Sequence, residues 1–296
     1  MYPGFVPEVR LVQSPEQPGS GVAIIRIYES PQAPHAIQNS TRVYIRTGQH
    51  SLPEDLADLP RLERLLRRRS EREARRDREI GATRERAMTL FPTWTWSALA
   101  VSPLYPDADL RVPKAILKWA RERFTQRTFY PRAGGASSAA FRPKAANEPK
   151  ARLGRYIELG AKGLAYFASS WETEAAAQDS QSLNLLQVVH ALARDLEDSA
   201  LFLEWLGFQG HVQIQYALEG AGGLRLVWPH YPDSVPGLLP SDYDHRASAT
   251  RTADSLTSNE LVLELINELR WSMGYGEFTR LDWFSSVIQS ARQEQR

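Results

Sequence analysis

Arginines near the N-terminus are the residues best suited to chemistry, and the first group lies on two short β-type segments and the loop between them. Its members are Arg26 in the first segment, His35 in the Pro-containing loop, and Arg42, Tyr44 and Arg46 in the second segment. A guanidinium group forms paired hydrogen bonds with phosphate oxygens and stacks on flat rings. The pattern predicts a strand surface that meets nucleic-acid phosphate, with a polar contact from His35. The alternative is that these are ordinary solvated residues on an edge sheet.

A second group of arginines follows in a helix-like segment from Arg61 to Arg86. The segment holds 11 arginines against 6 acidic residues, a surplus of 5 positive charges, and Arg67, Arg68 and Arg69 are consecutive. Such a helix can bind a nucleic-acid backbone and release its counterions. The interleaved acidic residues favour the alternative, in which this is a charged linker or a helix that forms a homo-oligomer.

Other kinds of site have little support in the sequence. The chain has no cysteine, which excludes disulfides, thiolate metal sites and cysteine nucleophiles. It lacks a Gly-rich phosphate loop and a Gly-x-Ser-x-Gly elbow. His190 lies inside a strong helical pattern, and the ligand-type residues from Asp242 to His245 have no second cluster at metal spacing. We therefore expect no catalytic residues, no metal and no cofactor.

The elements that would position the arginines are two strands and a helix. Residues 22–28 and 42–46 read as partner strands. Residues 51–54 fit a capping box and predict a short helical turn. A longer helix is then expected from Asp58 to about Ala87, polar on all sides beyond Leu66. A helix of that kind is typical of a solvated spacer between two domains.

The remaining two thirds of the chain mixes strand and helix patterns. Strands are predicted at 93–101, and hairpins at 152–159 with 163–171 and at 211–218 with 224–228. Helices are predicted at 112–124, at 182–206 before Gly207, from a capping box at 257–260 to Met273, and from Arg280 onward. Long loops are expected at 131–150 and 229–256. The order of elements indicates the α+β class, with antiparallel hairpins and packed helices.

Composition places the chain among folded proteins. Of its 296 residues, 42% are hydrophobic and 10% aromatic, which is ample for a packed core and argues against global disorder. There is no N-terminal signal pattern and no apolar run of about 18 residues. We expect no membrane association and a cytoplasmic location.

Residues 5–55 resemble the C-terminal half of the Schlafen-type AlbA-like domain, a DNA-binding or ATP-binding domain of bacteria. The matching features are the hydrophobic strand 22–27, the segment from Glu29 to His35, and the Tyr-x-Arg-x-Gly ending from Tyr44 to Gly48. An arginine-rich helix often follows in bacterial members. The resemblance covers about a sixth of the chain. It implies DNA binding, and ATP is a cofactor by this analogy alone.

The N-terminal half of that domain has no counterpart here. Family members carry an acidic residue and a Glu-Phe-Lys-like segment before this point, and nothing ahead of Val22 matches them. The acidic residues of nuclease members belong to that half, so nuclease activity does not carry over. Two explanations stay open, an N-terminally truncated reading frame and a degenerate domain.

These observations predict three segments. They are a partial AlbA-like β-unit at 1–55, an arginine-rich helical linker at 56–88, and an α+β domain of unknown role at 89–296. The expected function is non-catalytic nucleic-acid binding with a regulatory role, with DNA favoured over RNA. The alternative is a sensor or protein-interaction module, in which the arginine-rich helix dimerises and nucleic acid has no part.

Overall fold

The computed structural model describes most of the chain in ranges separated by gaps. The described residues are 8–13, 21–26, 42–47, 50–55, 59–90, 95–104, 109–143, 152–171, 174–175, 181–222, 224–227, 245–274, 276 and 284–289. The chain divides into two compact units, Met1–Arg78 and Glu79–Arg296. The α+β class predicted from the sequence is confirmed.

The first unit contains two antiparallel strand pairs. Strand β1 (Glu8–Gln13) pairs with β2 (Gly21–Arg26), and β3 (Arg42–Thr47) pairs with β4 (His50–Asp55). The prediction that residues 22–28 and 42–46 are partners is therefore wrong, since each of these strands pairs with a nearer segment. Short connections make such local pairing the less costly choice in chain entropy.

The predicted helical turn at residues 51–54 is also wrong, because these residues lie in β4. A Ser-x-x-Glu pattern can provide hydrogen bonds to backbone groups from nearby side chains, which favours a helical turn. In β4 the backbone groups form hydrogen bonds with β3 instead. Pro53 pairs opposite Tyr44 in a two-stranded sheet. A proline can be accommodated there, because an edge strand needs only some of its N–H groups for the ladder.

Helix α1 (Leu59–Leu90) matches the predicted long helix closely. Pro60 falls in its first turn, where a missing N–H breaks no hydrogen bond. The residues from Glu79 onward belong to the second unit. Ile80, Thr83 and Ala87 are buried there at helical spacing, so the expectation of a solvated spacer is wrong for the last three turns.

The second unit is built on a seven-stranded antiparallel sheet. The described residues of this unit form ten strands: β5 (Trp96–Pro103), β6 (Tyr130–Arg132), β7 (Gly135–Pro143), β8 (Arg152–Gly160), β9 (Ala165–Ser170), β10 (Glu174–Ala175), β11 (Gln181–Asn184), β12 (His211–Glu219), β13 (Leu224–Val227) and β14 (His245–Thr252). The large sheet has the order β14-β12-β5-β9-β8-β7-β6. A small sheet holds β10, β11 and β13.

The predicted loop and hairpin regions need three corrections. The region 131–150, expected to be a loop, contributes β7 and most of β6. Strand β14 lies within the expected loop 229–256. Strands β12 and β13 do not form a hairpin, because β12 pairs with β5 and β14 while β13 runs parallel to β11. The hairpin of β8 and β9 is confirmed.

In the described ranges, helix α1 is followed by α2 (Pro113–Arg123), α3 (Leu185–Leu206) and α4 (Asn259–Ser272). The side chain of Asn184 caps α3 by accepting the N–H of Leu186 at 3.0 Å, and Gly207 ends the helix in the left-handed conformation, as predicted. Ser258 caps α4, one residue later than the predicted Thr257. A 3₁₀ helix spans Ala253–Thr257, and residues 284–289 are also helical. None of the described helices is long and apolar enough to cross a membrane.

The two faces of the large sheet are covered differently. One face packs against α2, α3 and α4 in the main hydrophobic core, to which β12 contributes Val212, Ile214, Tyr216 and Leu218. The other face, here called the cleft face, packs against the last turns of α1 through a smaller core. Gln213, Gln215 and Ala217 alternate onto the cleft face and stay half-buried.

Candidate functional site

Most arginines in the first-unit part of α1 lie on one side of the helix. With a rotation of 100° per residue, the arginines between Glu63 and Arg78 concentrate in a sector about 140° wide. This arginine face consists of Arg64, Arg67, Arg68, Arg72, Arg75 and Arg78. All of them are exposed except Arg72, which is half-buried.

Acidic residues are nearly absent from the arginine face. Glu71 lies within the sector and forms an ion pair with Arg67, with 3.3 Å between Nε and Oε1. The other acidic residues of this stretch lie on the far side of the helix, and they are Glu63, Glu73 and Asp77. The acidic residues that interleave in the sequence are therefore sorted away from the arginines by helix geometry.

The three consecutive arginines singled out by sequence do not act as one cluster. Arg67 and Arg68 belong to the arginine face, whereas Arg69 points to the far side and pairs with Glu73 at 3.1 Å. Arg68 is exposed and has no ion pair with any other residue that the structure describes. Exposed i,i+4 pairs of this kind contribute little stability and are easily exchanged for a partner.

The predicted strand residues have their backbone placed by the two hairpins. Arg26 pairs opposite Glu8, while Arg42 pairs opposite Asp55 and Arg46 opposite Ser51. Tyr44 lies between the last two in β3. His35 lies outside the described residues. The hairpins keep Arg42, Tyr44 and Arg46 together on one strand but assign Arg26 to the other hairpin.

Two further arginines of α1, in the second unit, have a different role. Arg84 forms a bidentate ion pair with Glu219 of β12, at 2.8 and 2.5 Å. Arg86 forms a second one with Glu158 of β8, at 3.0 and 2.5 Å. Glu219 is only 3% exposed, so its carboxylate depends on the guanidinium for charge compensation.

Glu158 is the centre of a hydrogen-bond network on the cleft face. It accepts hydrogen bonds from the hydroxyl of Tyr156 and from Arg86. The hydroxyl of Thr83 lies 3.4 Å from it and donates to the carbonyl of Glu79 at 3.0 Å. Burial, followed by the hydrogen bond to Glu158, raises the pKa of Tyr156 to about 12. The hydrogen bond with Glu158 also raises the pKa of Arg86. These groups are fully occupied with one another, which is typical of a structural network.

A cavity of about 310 Å³ opens beside these ion pairs, on the cleft face of the second unit. Its base is formed by Ala98, Ala100 and Ala217 from the neighbouring strands β5 and β12. Its walls come from strands β9, β12 and β14 and from α1, including Tyr166, Gln213, Gln215, Arg246, Ser248, Ile80, Arg84 and Glu219. The volume is at the lower end of the range for small-ligand sites.

Three residues that line this cavity carry a side-chain oxygen without a hydrogen bond in the described part of the chain, and one of them, Tyr216, packs in the main hydrophobic core. The other two oxygens belong to residues of the cleft face. They are the hydroxyl of Tyr166, a residue that is 1% exposed, and Oε1 of Gln213. Burial raises the pKa of Tyr166 well above its usual range, so the phenol remains a hydrogen-bond donor. Buried polar groups are nearly always paired in folded proteins, so each of these two atoms calls for a hydrogen-bond partner.

A charged cluster on the opposite face of the sheet is structural. Arg155 of β8 lies against Asp195 and Asp198 of α3, and Arg123 bonds Asp198 at 3.0 Å. Burial lowers the pKa of Arg155, and burial together with the nearby Asp195 raises the pKa of Asp198. Each carboxylate already has a guanidinium partner. Among the residues that are described, no group of three metal-ligating side chains is present.

His245 and Ser272 approach each other but do not form an activated nucleophile. The distance between Nδ1 of His245 and Oγ of Ser272 is 2.6 Å, and the same hydroxyl donates to the carbonyl of Leu269 at 2.8 Å. A hydroxyl has a single proton, so Ser272 accepts from the imidazole rather than donating to it. A nucleophilic serine needs the reverse arrangement.

Sequence reasoning missed most of the arginine face and all of the cavity. Plotting α1 at 100° per residue would have revealed Arg64, Arg72, Arg75 and Arg78 as a group. The cavity residues gave no such signal, because Tyr166, Gln213 and Arg246 come from three strands. No family model, no curated protein and no solved structure matches the chain.

Proposed function

We propose that the protein is a non-catalytic nucleic-acid-binding regulator, with DNA as the favoured target, and that the arginine face of α1 is its main phosphate contact. The single observation that supports this is the sorting of charge around α1, which gathers arginines on one exposed side and leaves one acidic residue there. Helix geometry thus removes the objection that interleaved carboxylates would repel phosphate.

The spacing of the arginine face suits a phosphate backbone. At 1.5 Å per residue, Arg64 and Arg75 are separated by about 16 Å along the helix. Duplex DNA has one negative charge for about every 1.7 Å of its axis, and its major groove is about 12 Å wide. A ridge of arginines can therefore reach several phosphates at once, and each contact releases bound counterions.

The predicted residues of the hairpins would form a second contact. Arg42, Tyr44 and Arg46 lie together on β3, and Arg26 ends β2. Their arginines would add phosphate contacts, and the tyrosine ring offers a surface for stacking on a base. His35 remains part of this proposal on the sequence alone. ATP, suggested by the family resemblance, has no described site in support of it.

The test is fluorescence anisotropy with single-stranded DNA, duplex DNA and RNA at two salt concentrations. The key variant is Arg68→Glu with Arg75→Glu, and the matched control is Arg69→Glu with Arg76→Glu. Both pairs change the charge of the same helix by the same amount, but only the first pair lies on the arginine face.

We expect the first variant to weaken binding at least tenfold and to reduce the salt slope by about two, one for each lost contact. The control should change affinity less than threefold. Equal losses in both variants would mean that only net charge matters. Loss confined to Arg42→Glu with Arg46→Glu would move the contact to β3. No binding at low salt would overturn the function.

The dimerising-helix alternative is tested on the same samples by analytical ultracentrifugation. A dimer that dissociates in Arg68→Glu with Arg75→Glu, from a chain that binds no nucleic acid, would establish the protein-interaction role instead. A monomer in all variants excludes it.

A further inference from the structure

We propose that the cavity on the cleft face is a binding site for a small planar organic anion with the chemistry of a substituted aromatic carboxylate. This site lies wholly within the second unit and does not depend on the nucleic-acid proposal. Three features support it, namely the shape of the base, the unmet hydrogen bonds and the charge of the lining.

The base of the cavity is apolar and lined by short side chains, because alanines of the neighbouring strands β5 and β12 meet there. Ala98 and Ala217 pair directly across β5 and β12, and Ala100 is the next residue of β5 on the same face. On β9, the strand next to β5, Tyr166 pairs opposite Ala100. The large phenol ring therefore lies beside a residue whose side chain is a single methyl group. Such a floor favours a flat body laid against it.

The unmet hydrogen bonds define what the edge of the ligand must offer. The hydroxyl of Tyr166 requires an acceptor and Oε1 of Gln213 requires a donor, since neither has a partner in the described part of the chain. Leaving such groups unpaired is costly, and a ligand with an acceptor and a donor on its rim removes that cost. A hydroxyl or carbonyl substituent on a ring meets the requirement of Tyr166.

The charge of the lining favours an anion. Glu219 is neutralised by its bidentate pair with Arg84. Arg246 also lines the cavity, and it has no ion pair with another described residue. The hydroxyl of Ser248 lies two residues further along the same strand. Arg246 can bind a carboxylate through its paired N–H groups, whereas the N–H of Ser248 is already bound to the carboxylate of Glu268 at 3.2 Å.

The separation of these groups limits the size of the ligand. Tyr166 is on β9 and Arg246 on β14, with β5 and β12 between them. Three steps between strands amount to about 14 Å. One substituted ring with a hydrogen bond at each end fits a gap of this order, with its carboxylate toward Arg246.

The test is isothermal titration calorimetry of the full chain with three matched probes. 4-Hydroxybenzoate is planar and anionic, 4-hydroxybenzamide is planar and neutral, and trans-4-hydroxycyclohexanecarboxylate is anionic but not planar. We expect 4-hydroxybenzoate to bind, and each of the other two to bind at least tenfold more weakly. Equal affinity for all three, or no binding of any probe at millimolar concentration, would overturn the proposal.

Variants then locate the site. Tyr166→Phe and Arg246→Ala should each weaken binding of 4-hydroxybenzoate about tenfold without lowering the melting temperature, because neither removes a hydrogen bond of the free protein. Ala100→Leu should abolish binding by filling the base. The controls are Tyr156→Phe, on the same face but outside the cavity, and Arg251→Ala, on β14 but paired with Glu264. Affinity lost equally in variants and controls would place the probe elsewhere.

Discussion

The arginines of helix α1 lie in two different environments. The contrast shows that residue type alone does not determine the role of an arginine. In the first unit, Arg64, Arg68 and Arg75 are exposed on one side of the helix. In the second unit, Arg84 and Arg86 are bound to Glu219 and Glu158 on the sheet. The first group is exposed to solvent, whereas the second group is bound to carboxylates of the sheet.

The two environments also differ in what an arginine contributes to folding. An exposed ion pair is worth about 0–1 kcal/mol, since water and salt screen it. Removing one partner of a buried pair costs about 3–5 kcal/mol, because the other charge is left buried without compensation. Substitutions along α1 should therefore divide into those that affect binding and those that affect stability.

The largest expected effect on stability is that of Arg84→Ala. It leaves the carboxylate of Glu219 buried and unpaired, and we expect the free energy of unfolding to fall by about 3 kcal/mol. Urea denaturation followed by circular dichroism measures this. Replacing both partners, Arg84→Met with Glu219→Leu, should recover most of the loss, and a double variant as unstable as the single one would contradict the explanation.

Tyr156→Phe should have a smaller effect. The substitution removes a hydrogen bond from the phenol to the carboxylate of Glu158, and hydrogen bonds to charged groups contribute about 1.5–3 kcal/mol. We expect a loss of about 1.5 kcal/mol, because Arg86 continues to bind Glu158 through two hydrogen bonds. Tyr166→Phe on the neighbouring strand is the control, and a comparable loss there would show that the missing hydroxyl is not the cause.

The same tyrosine predicts a dependence of stability on alkaline pH. Its pKa is raised from 10.0 to about 12 in the folded protein, with Glu158, Arg86 and Arg132 as the charged neighbours. The folded state therefore holds a proton that the unfolded state loses, and this contribution is complete below pH 10 and disappears as the pH rises to about 12. Denaturation midpoints measured from pH 9 to 12 should fall more steeply for the native sequence than for Tyr156→Phe.

The smallest expected effect on stability is that of Arg68→Ala on the arginine face. The residue is exposed and has no ion pair with another described residue, so the free energy of unfolding should change by less than about 0.5 kcal/mol. Its effect should appear only in nucleic-acid affinity. A loss of stability as large as that of Arg84→Ala would remove the distinction between the two parts of the helix.

Patterns that depend on near neighbours predicted the structure well. The helix ending at Gly207, the hairpin of β8 and β9, and the span of α1 all follow from spacing and capping within about 30 residues. The strand at β12 was also identified. The strands that pair with β12 are not predicted by the sequence. The alternation of apolar and polar residues determines which face of a strand is buried but not which strand lies beside it.

The arginine face and the cavity differ in how far their geometry can be predicted from the sequence. The arginine face lies on a single helix, so the spacing of its arginines in the sequence determines its geometry. A count of charges along the chain does not show it, because the grouping exists only around the helix axis. The cavity depends on Ala100, Tyr166 and Gln213 meeting across three strands. That meeting is a property of strand order, which no local pattern in the sequence encodes.

Strand β5 is an interior strand of its sheet, and this position has a consequence for how the chain folds. Val101 pairs with Ala165 on one side and with Ile214 on the other, so both neighbours are made long after β5 itself. Strand β5 is buried at every position in the native protein. During synthesis, both of its backbone edges stay unpaired until β9 and β12 have been made. Such edges template association between chains, so growing chains that stall before β12 should be the ones that aggregate or recruit chaperones.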